Sequence, residues 1–327
     1  MEKNELNKNA RGGSELMQER LYKSIPSELL DKFQIILSRV RDINPDKKKI
    51  LWLHDHHEDP EIQHLKDLSS RSRFDKIVCV SNWQMYSYNA YLGLPYENAI
   101  VLKNAIEPIP ITTKEYDGTV NIIYHTTPHR GLGILVPVFE ELCKRYDNIH
   151  LHVYSSFKVY GWEEADKQFE ELFNRCRSHP KITYHGAVTN EEVRDALTKS
   201  HIYAYPSIWP ETSCLSVIEA MSAKNLVVCP NFAVLPETCS NFAMMYQWQE
   251  DVNKHATIFA QTLDTAIRTI IKNQGNTDPY LDFQKQYFDH FYGWETRKAE
   301  WLTLLNQLDA TPQVQPVNPN VFVYKTS

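Results

Sequence analysis

The sequence predicts an α/β protein of two domains, each a parallel sheet wound with helices. Three observations predict it. Ten short runs are apolar almost without interruption, as strands buried on both faces require. Helix-length amphipathic segments separate most of them, the alternation of parallel-sheet architectures. One stretch, EPIPITTKEYDG at residues 107–118, carries two prolines and a glycine with no period, and it divides the strand–helix units into two groups.

The N-terminal group opens on the helical SELMQERLYKSI and continues with the strands FQIILSRV, KKILWLHD, DKIVCVS and NAIVLKN. The C-terminal group holds VNIIYHT, IHLHVYSS, KITYHG, IYAYPS, NLVVCP and FAMMYQW. LGILVPVFEELCKRY, EEADKQFEELFNRC and EEVRDALTKS repeat at helical period between them. From Glu250 to about Leu308 the pattern is helical throughout, in DVNKHATIFAQTLDTAIRTII and WETRKAEWLTLL. The tail ATPQVQPVNPNVFVYKTS is polar and proline-bearing. The expected boundaries are 1–108 for a first domain and 109–280 for a second. Helices at 281–308 are expected to return toward the first domain, and an irregular tail covers 309–327.

Composition narrows the function classes. Of 327 residues, 42% are hydrophobic and 23% charged, the balance of a globular chain long enough for two cores. A net charge of −6 argues against a broad basic surface for nucleic acid. The six cysteines form no C-x-x-C pair and no zinc-ligand rhythm. Several sit in apolar runs, where a thiol behaves as a small hydrophobe in a reducing compartment. No apolar run is long enough to span a bilayer, and the opening MEKNELNKNARGG is polar. A cytoplasmic protein with at most peripheral membrane contact is expected.

Parallel sheets place ligands beyond the carboxyl ends of strands, so residues that follow strands come first. IYAYPS runs into SIWPETSCLSVIEAM, with Glu211 in a loop and Glu219 inside a helix. Thr212 and Ser213 are the expected N-caps. Just after Ser213, the first-turn N–H groups of Cys214, Leu215 and Ser216 suit a phosphate. Ser216 and Glu219 also fit an ordinary S-x-x-E capping box. Against that reading, Val217, Ile218, Ala220 and Met221 make the helix a buried one, and a capping glutamate usually faces water.

Other strand ends supply further candidates. Arg130 follows VNIIYHT in a turn and could fork onto phosphate, or serve as a plain surface residue. LHDHHEDP gathers His54, Asp55, His56, His57, Glu58 and Asp59, a density that invites a metal reading. No second Cys/His cluster completes a site, so no metal is expected. Trp83, after KIVCV, offers a platform to a sugar or packs. Gly12 and Gly13 let the backbone approach a ligand closely, or form a flexible turn.

These stretches together resemble a known family. YPSIWPETSCLSVIEAMSAKNLVV is similar to the E-x7-E region of the retaining glycosyltransferases of family 4, which have the two-domain B-type fold facing a cleft. RGGSEL resembles the family's N-terminal Gly-Gly-x-Glu loop, and DKIVCVSNWQ with IVLKNAI the end of its first domain. NIIYHTTPHRGLGILVPVFEEL resembles the first strand–loop–helix unit of its second domain, ITYHGAVTNEEVRDAL its nucleotide-base loop, and VLPETC its Leu-Pro-Glu segment. The resemblance spans roughly residues 11–245.

What it implies can be put residue by residue. Glu219 would bind the nucleotide ribose and Glu211 the hydroxyls of the transferred sugar. The backbone at Ser213, Cys214 and Leu215 would hold the diphosphate, and Ala187 and Val188 the base. Arg130 stands at the lysine of the family's G-R-x4-K-G pattern, and His125 at its arginine. His54, Asp55, Trp83, Gly12 and Gly13 would line the acceptor side, with Glu211, Arg130 and His54 nearest the reaction. The implied reaction is front-face transfer, with retention, from a nucleoside diphosphate-sugar to a glycan or glycoconjugate hydroxyl, without metal or cofactor. The chain departs from the pattern at three places. His125 replaces an arginine. Lys224-Asn225 replaces a glycine, where Asn tolerates a left-handed backbone. No strand precedes RGGSEL, so the first domain is reduced. Three alternatives stand beside this reading: a sugar-nucleotide epimerase or hydrolase of the same fold, a metal-dependent hydrolase on LHDHHEDP, and a non-catalytic sugar-nucleotide-binding module.

Overall fold

The computed structural model describes residues 12–111, 113–273 and 278–311. Arg11 of RGGSEL, the polar start and the tail from residue 312 lie outside the described residues. The ten apolar runs are strands, and they form two parallel sheets of four and six. The chain groups into two compact units. Gln18–Lys103 and the described residues from Arg297 form one. Asn104–Thr296 and the described residues before Gln18 form the other.

The first unit takes most of α1 (Gly13–Ser24), then α2 (Ser27–Leu30), β1 (Phe33–Leu37), β2 (Lys48–Leu53), α3 (Leu68–Arg71), β3 (Lys76–Cys79), α4 (Asn82–Leu92) and β4 (Ala99–Val101). Its sheet order is β1-β2-β3-β4, every step in one direction. Right-handed crossovers stepping one way put all connections on one face. There Ile36, Leu51, Leu53, Ile77 and Cys79 form one core with Ile62, Leu65, Tyr88 and Leu92. Side chains alternate along a strand, so Ile50 and Trp52 of β2 serve the opposite face. A helix from the chain's far end covers that face: Trp301 meets Trp52 edge-on at 4.8 Å, and both are buried.

The second unit runs β5 (Val120–Tyr124), α5 (Leu132–Leu142), β6 (Ile149–Val153), α6 (Glu170–Ser178), β7 (Ile182–Tyr184), α7 (Asn190–Lys199), β8 (Ile202–Ala204), α8 (Leu215–Ser222), β9 (Leu226–Pro230), α9 (Leu235–Cys239), β10 (Met244–Tyr246), α10 (Val252–Lys272) and α11 (Asp278–Phe291). Then α12 (Trp294–Ala310), the helix that carries Trp301, passes to the first unit at Arg297. The sheet order is β7-β6-β5-β8-β9-β10. It is doubly wound, and its direction reverses between β5 and β8. All five residues of β9 are buried, which explains its unbroken apolar run. EEADKQFEELFNRC is helical in two pieces, a 3-10 stretch at Glu163–Phe169 and then α6. At the end of α8 the left-handed residue is Lys224, with φ 57°, rather than Asn225; its buried ammonium pairs with Asp282.

Candidate active site

The strand order brings the loops after β5 and β8 side by side at the reversal, and each carries a charged residue. Arg130 ends a 3-10 turn, Pro128–Arg130, after β5. Gly131 follows with φ +132°, and a Cβ there would lie 2.3 Å from the Pro206 carbonyl oxygen. Only glycine lets the two loops approach so closely. Across this contact the Arg130 guanidinium donates to the Glu211 carboxylate. Its Nε donates to Thr127 Oγ1 at 3.1 Å, and Nη2 to the Tyr160 hydroxyl at 3.4 Å. Glu211 is only 5% exposed and also accepts from the buried Tyr205 hydroxyl. Burial is the largest influence and draws the Arg130 pKa down, but the Glu211 carboxylate, with Tyr160 and Tyr205, more than offsets it and holds the pKa well above the ordinary value. The site therefore carries a fixed positive group already matched by a negative one.

The helix after Glu211 begins later than the sequence suggests. Thr212 and Ser213 are not its caps: α8 starts at Leu215, with Cys214 in the N-cap position and no side-chain capping bond. The cause is Glu211, whose pairing and N–H bond to Trp209 O at 2.9 Å hold the segment on an irregular path. Cys214 then turns into the core, 3% exposed, with its sulfur 3.3 Å from Ser216 Oγ. An N-terminus without a side-chain cap keeps its first-turn N–H groups for an anion.

Glu219 makes no capping box with Ser216. It is 5% exposed, and its partners come from α7: Asn190 Nδ2 at 3.3 and 3.4 Å from its two oxygens, and Arg194 Nη1 at 3.3 Å. His125 does not supply the charge of an arginine. Burial lowers its pKa to about 3, its ring bonds the Ser216 backbone, and Nε2 is buried without a protein partner. His129, stacked on Phe157 at 5.1 Å, is lowered to about 4 by burial and by Arg130. Both are neutral at pH 7.

The glycine pair reaches the same unit. A Cβ on Gly13 would lie 3.0 Å from Leu215 at the start of α8, and one on Gly12 would lie 2.6 Å from Tyr160, the partner of Arg130. Ala187 and Val188 follow β7 in an exposed turn set by Gly186 at φ +69°, and lead into the capping box of Thr189 and Glu192 that starts α7.

The first unit holds the remaining candidates. β2 ends at Leu53, so His54 and Asp55 lie just beyond the strand. His54 packs its ring 4.8 Å from Trp52, and burial lowers its pKa to about 3. Burial and then Asp59 raise the pKa of Asp55. The other imidazoles stack: His56 on Trp83 at 5.7 Å, His57 on Tyr91 at 4.1 Å. No group of three or more His, Cys, Asp or Glu among the described residues is placed to hold a metal ion.

Four contributors escaped the sequence reading: Tyr160, Tyr205, Asn190 and Arg194. The first two carry no pattern. The last two share one helix face by their spacing of four, a signal that needs a known partner to be read.

Comparison with known proteins follows the same geometry. The model of the family described as Glycosyl transferases group 1 matches residues 111–274. Among curated relatives, a phosphatidylinositol N-acetylglucosaminyltransferase protein of Arabidopsis thaliana is 25% identical over 51% of this chain and 37% of its own length. The GPI3 subunit of the same enzyme from Saccharomyces cerevisiae is 22% identical over 67% of this chain and 48% of its own. The chain thus spans less than half the length of these relatives. Among solved structures, a glycosyltransferase from Rickettsia africae superposes with a TM-score of 0.66 at 14% identity, over 95% of this chain and 84% of that one. The pneumococcal O-GlcNAc transferase GtfA, solved with UDP and GlcNAc, gives 0.62 at 9% identity over 81% and 53%. Anabaena HepE, solved with UDP-glucose, gives 0.60 at 15% identity over 80% and 72%. At these identities the likeness establishes the fold, which is that of B-type glycosyltransferases.

Proposed function

The chain belongs to the glycosyl transferases group 1, and on that premise we propose that it is a retaining glycosyltransferase using a UDP-hexose donor, with UDP-N-acetylglucosamine the first to test. The observation that carries the proposal is the Arg130–Glu211 pair at the sheet's reversal point, beside a helix start without a side-chain cap and eight residues before the buried Glu219. UDP and its sugars are the ligands held by the neighbours of this fold, and N-acetylglucosaminyl transfer is the activity named for the curated relatives.

Each group then has a task. Glu219 accepts from the ribose hydroxyls and Glu211 from hydroxyls of the sugar, as carboxylates with free lone pairs do. Charge develops on the diphosphate as its bond to the sugar breaks. Arg130 and the first-turn N–H groups of α8 stabilise that charge. The acceptor hydroxyl enters on the face the diphosphate leaves and passes its proton to it, so no protein nucleophile is required. The acceptor is a glycan or a lipid-linked glycoconjugate.

A second reading, donor binding without transfer, draws on the charge at the site: with His125 and His129 neutral, Arg130 alone of the three is a cation, and Glu211 already offsets it. One experiment separates the two. Melting temperature is followed with UDP, GDP and their sugars, and the stabilising sugar nucleotide is then offered radiolabelled with glycan and glycolipid acceptors. Stabilisation by UDP-N-acetylglucosamine and label in an acceptor are expected, with transfer lost in Glu211→Ala. Stabilisation without transfer supports the second reading. A Glu211→Ala variant as fast as the parent sinks the site assignment.

A further inference from the structure

The ribose carboxylate is held by a residue that also grips the chain between the two groups of strands. Arg194 lies on α7, with its side chain only 16% exposed. Nη1 approaches Glu219 Oε1 at 3.3 Å, while Nη2 donates to the carbonyls of Glu107 at 2.8 Å and Pro108 at 3.3 Å. Asn190, one turn earlier, spans both oxygens of Glu219. Glu219 is therefore fixed by donors on one side and keeps lone pairs for others. The planar fork of Arg194 joins two elements at once, the helix that carries Glu219 and the segment at residues 107–108. A lysine, a single point charge on a flexible stem, cannot reproduce that bridge.

We propose that Arg194 is a positioning residue for Glu219: by tying the carboxylate to the 107–108 segment it fixes the orientation in which Glu219 meets a ribose, and so sets the preference for ribose over 2′-deoxyribose in the donor. The proposal rests on the donor reading above. A carboxylate in a fixed orientation accepts the ribose hydroxyl with a short, directed bond. One that can swing loses that bond while the base and phosphate contacts persist. The discrimination between UDP and 2′-deoxy-UDP thus reads Arg194, whereas a purely structural role would weaken both ligands together.

The test is calorimetric titration of the full chain with UDP and 2′-deoxy-UDP, in the parent, Arg194→Leu, Arg194→Lys and Glu219→Gln, with melting curves on each. The parent is expected to prefer UDP by about tenfold, the worth of one charge-assisted hydrogen bond. Arg194→Leu is expected to bring that ratio below about threefold, close to Glu219→Gln, with 2′-deoxy-UDP affinity nearly unchanged. Arg194→Lys should fall between them, and it carries the comparison should the leucine variant not fold. A parent ratio that survives in folded Arg194→Leu or Arg194→Lys overturns the role of Arg194 and leaves the donor reading intact. A parent that binds both equally overturns the ribose role of Glu219 and this proposal while UDP binding stands; a parent that binds neither overturns the donor reading itself.

Discussion

Removing Arg130 leaves Glu211 buried without its counter-charge. Breaking one side of such a pair costs about 3–5 kcal/mol of stability, so Arg130→Ala should melt well below the parent. The double variant Arg130→Ala/Glu211→Ala should recover most of that loss, while transfer stays down by about a hundred- to a thousandfold, as expected when a charge stabiliser is removed. Denaturant titration and initial rates on the same preparations check both halves. The buried histidines give a second prediction. Burial lowers His54 and His125 to about 3, below the value of about 6.5 in the unfolded chain. Their stabilising contribution is complete above pH 6.5 or so and is lost as pH falls toward the folded value. The slope is at most about 1.4 kcal/mol per pH unit for each histidine. Urea midpoints between pH 7.5 and 5 should fall in the parent and fall less in His125→Gln; equal slopes would remove His125 from the account. Glu211, Glu219 and Arg130 stood out in the sequence because charges beside apolar runs need a reason. Tyr205 did not, because a tyrosine at a strand end reads as ordinary core, and Arg194 did not, because its partner lies in another element and only the fold brings them together.

At the level of elements, the reversal between β5 and β8 depends on how closely two loops approach. Gly131→Ala would strain a φ of +132° and drive its Cβ into the Pro206 carbonyl. A loss of at least about 2 kcal/mol is expected in urea unfolding, together with weaker donor binding, since Arg130 and the β8 loop must move apart. An unchanged midpoint would mean the loops yield freely. The strands were the most legible part of the fold. β9, buried along its length, has to be apolar throughout, and its flanking Asn225 and Asn231 mark where that ends. Helix starts were less legible. α7 declares itself by Thr189 and Glu192, a capping box written in sequence. The start of α8 does not, because its position follows from a tertiary ion pair. The left-handed turn at Lys224 was equally hidden: Asp282 rewards an ammonium where intrinsic preference favours asparagine.

For the molecule as a whole, the two units are not two consecutive halves of the chain. The four-stranded sheet has its crossovers on one face, and Trp301 of α12 covers Trp52 on the other. Trp301→Ala should therefore cost about 3–5 kcal/mol, and hydrogen exchange should quicken in β1–β4 while β5–β10 stay protected. Equal exchange in both sheets would count against two separable cores. A repeated strand–helix alternation points to two parallel sheets, and the terminal helices were expected back at the first; which residue of them meets that sheet was not legible, since it depends on a tryptophan pair 249 residues apart in the chain.

The same interleaving governs how members of this family could be recombined. A chimera joined once, after Lys103, would part the four-stranded sheet from its closing tryptophan. It would also part the start of α8 from the glycines packed on Leu215 and Tyr160. Exchange of either unit between relatives therefore calls for three seams, after Met17, Lys103 and Thr296, with the described residues before Gln18 and from Arg297 each travelling alongside the unit it completes.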